Sequence, residues 1–331
     1  MNRAALLYNP VSGGGRRRNR ELDAALALLR SGGVNAELVL TQSRADAAEQ
    51  ARRAIAAGCD TIFACGGDGT VHDLLQSVAN SQATLAILPM GTANALAHDL
   101  ALPLHPVAAA RAALKAVPRR IALGQVAYKD FQGQPANRFF TVAAGAGVDA
   151  HLFYKLNPSA KNRLGMAAYY VKAWQLWMSH RMVRFHANWA DQASGSARSA
   201  SLTELLAVRI GNFGGILRQL APGASLHRDD MSVLMCHTSS RAAYLSYVTR
   251  SMLGLPRNVK GVEIVATESV TCDYEEAQGL DPRLRVFIQA DGELLGTLPA
   301  TIKIVPDALT LLVPQDFASA RQQNRSKSFP A

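Results

Sequence analysis

The sequence predicts an α/β domain built on a parallel sheet, followed by a β-sandwich, and three observations carry that reading. Over residues 1–120 short apolar runs alternate with helical patterns, the pattern of βαβ units. From about residue 121 onward β-runs separated by turns take over. Glycine-rich loops follow three of the early strands, at the sheet edge where such folds hold their ligands. With 331 residues and 49% hydrophobic side chains, the chain can fill two cores rather than one.

Taken in order, residues 4–8 read as a strand and 19–30 as a helix closed by Gly32 and Gly33. Residues 34–40 give a second strand, and 46–57 a second helix that stops at Gly58. A third strand over 61–65 runs into a glycine loop and a helix to about Ala79. Residues 84–88 give the fourth, followed by Pro89-Met90-Gly91 and a further helix. In the second half strands are predicted over 121–128, 138–143, 183–189, 203–211, 232–237, 262–266, 270–273 and 286–290. Two helical stretches interrupt them, at 164–178 and 242–253. The stretch 317–331 is polar and without apolar periodicity, and is predicted to be a disordered basic tail.

Composition removes several function classes. No uncharged apolar run reaches the ~18 residues of a membrane-crossing helix. The apolar stretch after Arg3 is too short for a signal peptide. Cys59, Cys65, Cys236 and Cys272 lack Cys-x-x-Cys spacing, so buried thiols in a reducing, cytoplasmic compartment are expected rather than zinc or disulfides. The net charge of +10 fits a solvated basic surface as well as it fits attraction to a polyanion. No nucleic-acid motif accompanies the basic clusters, so nucleic acid is not an expected partner.

The strongest local signal is Gly66-Gly67-Asp68-Gly69-Thr70, after a strand and opening a helix. Closely spaced glycines let a backbone approach a ligand, and the amide groups of a helix start favour an anion. Asp68 would repel a phosphate unless a cation lay between them, so a Mg²⁺-nucleotide suits the loop. A tight strand–helix turn with Asp68 as N-cap accounts for the same residues. Two further loops, Asn9-Pro10-Val11-Ser12-Gly13-Gly14-Gly15 and Met90-Gly91-Thr92-Ala93-Asn94, would reach the same sheet edge in a parallel topology. No Gly-x-x-x-x-Gly-Lys-Ser/Thr is present, and no Gly-x-Gly-x-x-Gly follows the first strand. Near the end, Asp291-Gly292-Glu293 reads as a β-turn or as the setting of a general base for a hydroxyl. Asp229 and Asp230 read as a solvated turn or as ligands to a divalent cation.

In order along the chain these residues resemble the diacylglycerol kinase catalytic family, the soluble bacterial lipid kinases related to sphingosine and ceramide kinases. The resemblance rests on Asn9-Pro10 with Ser12-Gly13, Thr41 with Ala45-Asp46-Ala47, Gly66 to Thr70, and Gly91-Thr92-Ala93-Asn94. It continues through Gly145 to Ala150, then Gly211-Asn212 with Gly214-Gly215, Ala221-Pro222 with Ala224, and Asp291-Gly292-Glu293. It spans residues 4–316.

The resemblance implies an α/β nucleotide-binding domain over 1–120, completed by 305–316, with ATP in the cleft beside a lipid-substrate β-sandwich over 121–304. It implies ATP and Mg²⁺ as cofactors, and a lipid hydroxyl, diacylglycerol by default, as acceptor. Asn9, Pro10, Ser12, Gly13, Gly14, Thr41, Gly66 to Thr70, Thr92 and Asn94 become nucleotide-site residues, with Asp68 acting through Mg²⁺. Glu293 becomes the proton acceptor, with Asp291 its partner or rival. Asp229 would sit at a structural Mg²⁺ site, with Asp230 beside it, although the family's usual Asp-Gly-x-Leu reads Arg228-Asp229-Asp230-Met231 here. Such an enzyme works peripherally at an anionic membrane surface, which gives the basic charge a use. A sphingosine- or ceramide-type kinase, an NAD kinase and a non-catalytic nucleotide- or lipid-binding regulator are the competing readings. The sequence leaves a homodimer open.

Overall fold

A computed structural model describes residues 1–10, 16–147, 182–192, 195–215, 219–255, 257–275 and 284–324. The helix expected over 164–178 lies outside the described residues. The chain divides into two compact units. The first comprises Met1–Leu123, Asn212–Ile216 and Val305–Ala331; the second comprises Gly124–Gly211 and Leu217–Ile304.

In the first unit β1 (Arg3–Tyr8), β2 (Asn35–Leu40), β3 (Thr61–Gly66) and β4 (Thr84–Pro89) alternate with α1 (Arg16–Ser31), α2 (Arg44–Ala56) and α3 (Asp68–Val78). Two shorter helices follow, α4 (Ala95–Asp99) and α5 (Pro106–Ala113). The sheet order is β2-β1-β3-β4, every pair parallel. The far edge is completed by the end of β15 (Glu293–Val313), where Thr310 and Leu311 run parallel to Thr84 and Leu85. Strands β1, β3 and β4 are buried along nearly their whole lengths, as unbroken apolar runs require. Leu22, Leu26 and Leu29 of α1 recur at helical spacing and pack with Leu6, Phe63 and Leu88. Each such side chain contributes about 1.5–3 kcal/mol by leaving water. The Ser43 hydroxyl caps α2, accepting from the Asp46 amide at 3.1 Å.

The second unit is antiparallel, with β5 (Val117–Lys129) entering it from the first. It contains β6 (Pro135–Phe140), β7 (Ala143–Gly147), β8 (Phe185–Ala190), β9 (Ala197–Leu202), β10 (Glu204–Val208) and β11 (Met231–Cys236). Helix α6 (Arg241–Met252) precedes β12 (Val262–Thr267), β13 (Ser269–Tyr274) and β14 (Phe287–Ala290). The main path is β12-β11-β10-β7-β14-β15, while β13 joins β15 to the β8–β9 hairpin and β5 pairs with β6. Phe140, Phe185, Trp189, Val233, Ile288 and Ile302 centre its core. The result is sandwich-like. All four cysteines are buried free thiols, and burial first of all pushes the Cys272 thiol up to about 12. No helix among the described residues is long and apolar enough to cross a membrane.

Four expectations need correction. The single strand read over 138–143 is two, because the backbone at Thr141 and Val142 leaves the ladder to bind a carboxylate described below. Strand β15 runs for 21 residues beyond the last strand read at 286–290; Gly296, Pro299 and Pro306 disguise it. The tail expected to be disordered from 317 opens as helix α7 (Gln315–Asn324), since Ala, Gln and Arg after Pro314 are strong helix formers without apolar periodicity. The segment 212–216, expected in the second domain, clusters with the first unit.

Candidate active site

The order β2-β1-β3-β4 reverses direction between β1 and β3, and the crevice beyond the carboxyl ends of those strands is where such sheets bind ligands. Asn9 and Pro10 leave β1 at that point; Ser12, Gly13 and Gly14 lie outside the described residues. Thr41 is held alongside, its amide donating to the Tyr8 carbonyl at 2.9 Å, with only 3% of the residue exposed. Gly66 and Gly67 leave β3 there, and the Met90 amide donates to the Gly66 carbonyl at 2.9 Å, carrying the ladder one step past the strands.

The loops after β3 and β4 are locked to one another. A Cβ on Gly91 would stand 2.5 Å from the Gly67 Cα, so the backbones meet where only glycine fits. Asp68 does not cap its own helix, since the N-cap Gly67 offers no side chain. Its carboxylate reaches across instead: Oδ2 accepts from the Asn94 amide at 2.9 Å and Oδ1 from the Ala95 amide at 2.7 Å. Those amides open α4, so the charge of Asp68 caps a different helix from the one it begins. Asn94 sits in the left-handed region at φ 49°, and its amide closes the loop on itself. Its Oδ1 accepts from Gly91 N at 3.0 Å, and its Nδ2 donates to the Gly91 carbonyl at 3.0 Å. Thr92 stays exposed between them. The α3 start is equally tight, because a Cβ on Gly66 would lie 2.2 Å from the Thr70 hydroxyl.

One contributor was not read as part of this loop system. The Asn212 amide donates to Asp99 Oδ1 at 2.9 Å, which ties residues 212–215 to the carboxyl end of α4. Gly214, at φ +74°, lies so close to the His98 ring that a Cβ would meet it at 2.3 Å. The Gly-Asn-x-Gly-Gly pattern gave the signal, but nothing in its position named Asp99 or His98 as its partners.

In the second unit, Asp291 and Gly292 form a two-residue β14–β15 turn with both φ values positive, 49° and 81°. That is a type I′ hairpin, for which Asp-Gly is a favoured pair. The Asp291 carboxylate is engaged by β7 and the residues before it. Oδ1 accepts from Val142 N at 2.9 Å and Ala143 N at 3.1 Å; Oδ2 accepts from Thr141 N at 3.0 Å and the Thr141 hydroxyl at 3.4 Å. The Asp291 amide returns a bond of 2.7 Å to the Ala143 carbonyl, and Gln289 Oε1 accepts from Gly292 N at 3.0 Å. A carboxylate with four donors on it fastens the hairpin to residues 141–143. Glu293 opens β15 opposite Ala290, half-buried at the hairpin mouth.

The expected cation site at Asp229 and Asp230 does not fit a metal. Arg228 grips Asp230 with two nitrogens, Nε on Oδ1 at 2.7 Å and Nη2 on Oδ2. The fully buried Arg209 takes the backbone oxygens that a cation would need, donating through Nη1 to the Arg228 carbonyl at 2.8 Å and to that of Asp230. The side-chain hydrogen bond to Asp230 also raises the Arg228 guanidinium further. Two guanidinium groups thus occupy the place of the ion, while Asp229 is left exposed. No cluster of His, Cys, Asp and Glu able to hold a metal occurs among the described residues.

The first unit thus carries locked glycine loops at the switch point of a parallel sheet, and the β-sandwich-like unit carries a carboxylate-bearing hairpin. The comparisons name the family. Residues 3–126 match the diacylglycerol kinase catalytic domain, and residues 142–313 match the YegS C-terminal NAD kinase beta sandwich-like domain. The chain belongs to the family that joins these two domains, and it is a lipid kinase of that family. It is 26% identical over 323 residues to a diacylglycerol kinase of Bacillus subtilis (strain 168), covering 96% of this chain and 98% of the relative. A diacylglycerol kinase of Staphylococcus aureus (strain MRSA252) is 24% identical over 322 residues, covering 96% and 94%. Among solved structures, a diacylglycerol kinase from Bacillus anthracis str. Sterne superposes with a TM-score of 0.69 at 18% identity, covering 95% of this chain and 98% of that one. Yeast NADH kinase complexed with NADH reaches a TM-score of 0.50 at 10% identity, covering 99% and 89%, a likeness of fold alone.

Proposed function

We propose that this enzyme transfers the γ-phosphoryl group of Mg-ATP to the hydroxyl of diacylglycerol, giving phosphatidic acid and ADP at an anionic membrane surface. The observation that supports it best is the locked pair of loops, Gly67 on Gly91 and Asp68 on the start of α4, at the sheet's switch point. Phosphoryl transfer asks a protein for positioning, charge neutralisation and a base, and rigid loops supply the first. Asn9, Pro10, Thr41, Gly66 to Thr70, Thr92 and Asn94 form the nucleotide site, and Ser12, Gly13 and Gly14 join it on the strength of the sequence alone. Asp68, an oxygen donor of the kind Mg²⁺ takes, faces the nucleotide's cation. The lipid oxygen attacks the γ-phosphorus in line, and the bond to the β–γ bridging oxygen breaks with its electron pair leaving on ADP. The hydroxyl proton passes to the Glu293 carboxylate. The default acceptor follows the names of the relatives.

The test is transfer of labelled γ-phosphate from Mg-ATP to diacylglycerol, sphingosine, ceramide and NAD, each in mixed micelles with anionic lipid. Label should enter diacylglycerol and be lost in Glu293→Ala. Label entering only a sphingoid lipid would replace the substrate, and label in NAD alone would overturn the lipid reading of the acceptor.

A further inference from the structure

Helix α6 ends in a way that displays apolar side chains. Leu253 caps it, Gly254 turns left-handed at φ +65°, and two backbone bonds close the end: Leu255 N to the Arg250 carbonyl at 2.9 Å, and Gly254 N to the Ser251 carbonyl at 3.4 Å. This is a Schellman closure, in which the apolar residue after the glycine ordinarily folds back onto the last helical turn. Here it does not. Leu255 is 47% exposed, Leu253 67% and Met252 42%. Three of the seven large hydrophobic residues exposed in the described chain therefore fall within four consecutive positions, on a backbone held by its own cap.

The segment's own charges are all basic, and Glu263 just beyond it is taken up by His237 at 3.2 Å and Arg198 at 2.9 Å. Between Met231 and Val262 the chain carries no Asp or Glu, and Arg241, Arg250, Arg257 and Lys260 are its charged residues, with His237 as the further titratable side chain. Arg257 braces the loop, donating to Ser251 Oγ at 3.1 Å and to the Gln219 carbonyl at 2.9 Å. Lys260 is exposed. An open cavity of about 940 Å³ adjoins them, and Tyr247, Leu255, Val259, Ile264, Arg257 and Lys260 are among the residues that line it. Apolar side chains fixed in place beside cations, with no anion in the segment, match the boundary between headgroups and acyl chains of an anionic bilayer.

We propose that residues 250–255 and 257–260 are the docking surface by which this protein sits on an anionic bilayer. Met252, Leu253 and Leu255 enter the headgroup–acyl boundary, and the basic side chains meet lipid phosphates. The proposal rests on the lipid-kinase reading above and assigns it a surface of contact.

Binding of the full chain to sedimented vesicles tests it, using phosphatidylcholine alone and phosphatidylcholine with about one-third phosphatidylglycerol. The double change Leu253→Ser and Leu255→Ser should weaken binding to the anionic vesicles about tenfold or more. Lys260→Glu should weaken it roughly thirty-fold at low salt and much less at high salt. Both variants should keep wild-type transfer to a short-chain diacylglycerol presented below the concentration at which it forms a surface. Wild-type vesicle binding by both variants, or equal binding of the native chain to neutral vesicles, overturns the proposal. Should no lipid accept phosphate even with the native chain, the substrate reading fails separately, while the vesicle comparison still decides the surface.

Discussion

Replacing Asp291 by Asn and Glu293 by Gln separates a fastening carboxylate from a reacting one. At Asp291 the substitution keeps shape and leaves the φ of 49° acceptable, because Asn tolerates the left-handed region. It leaves one oxygen for Val142 and Ala143 and turns an NH₂ toward the Thr141 amide. A hydrogen bond to a charged group is worth about 1.5–3 kcal/mol, so one lost bond and the weakening of the others cost about 2–4 kcal/mol. In a unit of this size that lowers Tm by roughly 5–15 °C. Glu293, half-buried at the hairpin mouth, should lose less than about 2 °C as Gln while turnover falls about 10²–10⁴-fold. Scanning calorimetry beside phosphate transfer to diacylglycerol, well below both melting points, gives the two readouts. An Asp291→Asn protein that melts like wild type yet turns over no substrate would refute the assignment and make Asp291 the base.

Asn94→Ala removes both bonds to Gly91 and leaves a strained φ, so ATP affinity by titration calorimetry should fall about 5- to 150-fold. Asn94→Gly relieves the strain without restoring the amide and should bind ATP about as weakly; recovery in the glycine variant would mean that backbone conformation alone matters. At Asp60 burial pushes the carboxyl up, but hydrogen bonds from the Thr61 hydroxyl and the Asn2 and Arg3 amides outweigh it and hold the group below the usual aspartate range. A depressed folded value gives stability that is present above the unfolded value and lost as pH falls through the folded one. Wild type should therefore be more stable than Asp60→Asn at neutral pH, with the difference shrinking below about pH 4 in urea unfolding. A difference that does not change with pH would remove this carboxylate's role.

The first unit was legible because its strands are buried on both faces and its helices carry regular apolar spacing, as from Leu22 to Leu29. Two marks of period and punctuation sufficed. The edge strand β9, Ala-Arg-Ser-Ala-Ser-Leu, was invisible because only its last residue is buried. Strand β15 was hidden by the glycine and prolines inside it. At the site, the residue types pointed to the right loops but not to who holds whom. Asp68 capping α4 rather than its own helix depends on register between β3 and β4, and Asp291 gripping residues 141–143 depends on a contact about 150 positions apart in sequence. The cation expected at Asp229 and Asp230 failed for a visible reason, since Arg228 stands beside them in the sequence. The buried Arg209 that seconds it gave no local signal.

The parallel pairing of Thr310 and Leu311 with Thr84 and Leu85 also sets an order of events during synthesis. A ribosome delivers β1 to β4 more than 200 residues before β15, so the edge of β4 waits that long for a lasting partner, and the 212–215 clasp on α4 comes more than 100 residues after the helix it holds. An unpaired strand edge is a place where chains stick to one another, and contacts so distant in sequence form slowly. A nascent chain therefore holds its first unit incomplete while the second is being made. Products cut short before β15 should neither bind ATP nor stay soluble, so an unfinished enzyme has no means of spending nucleotide.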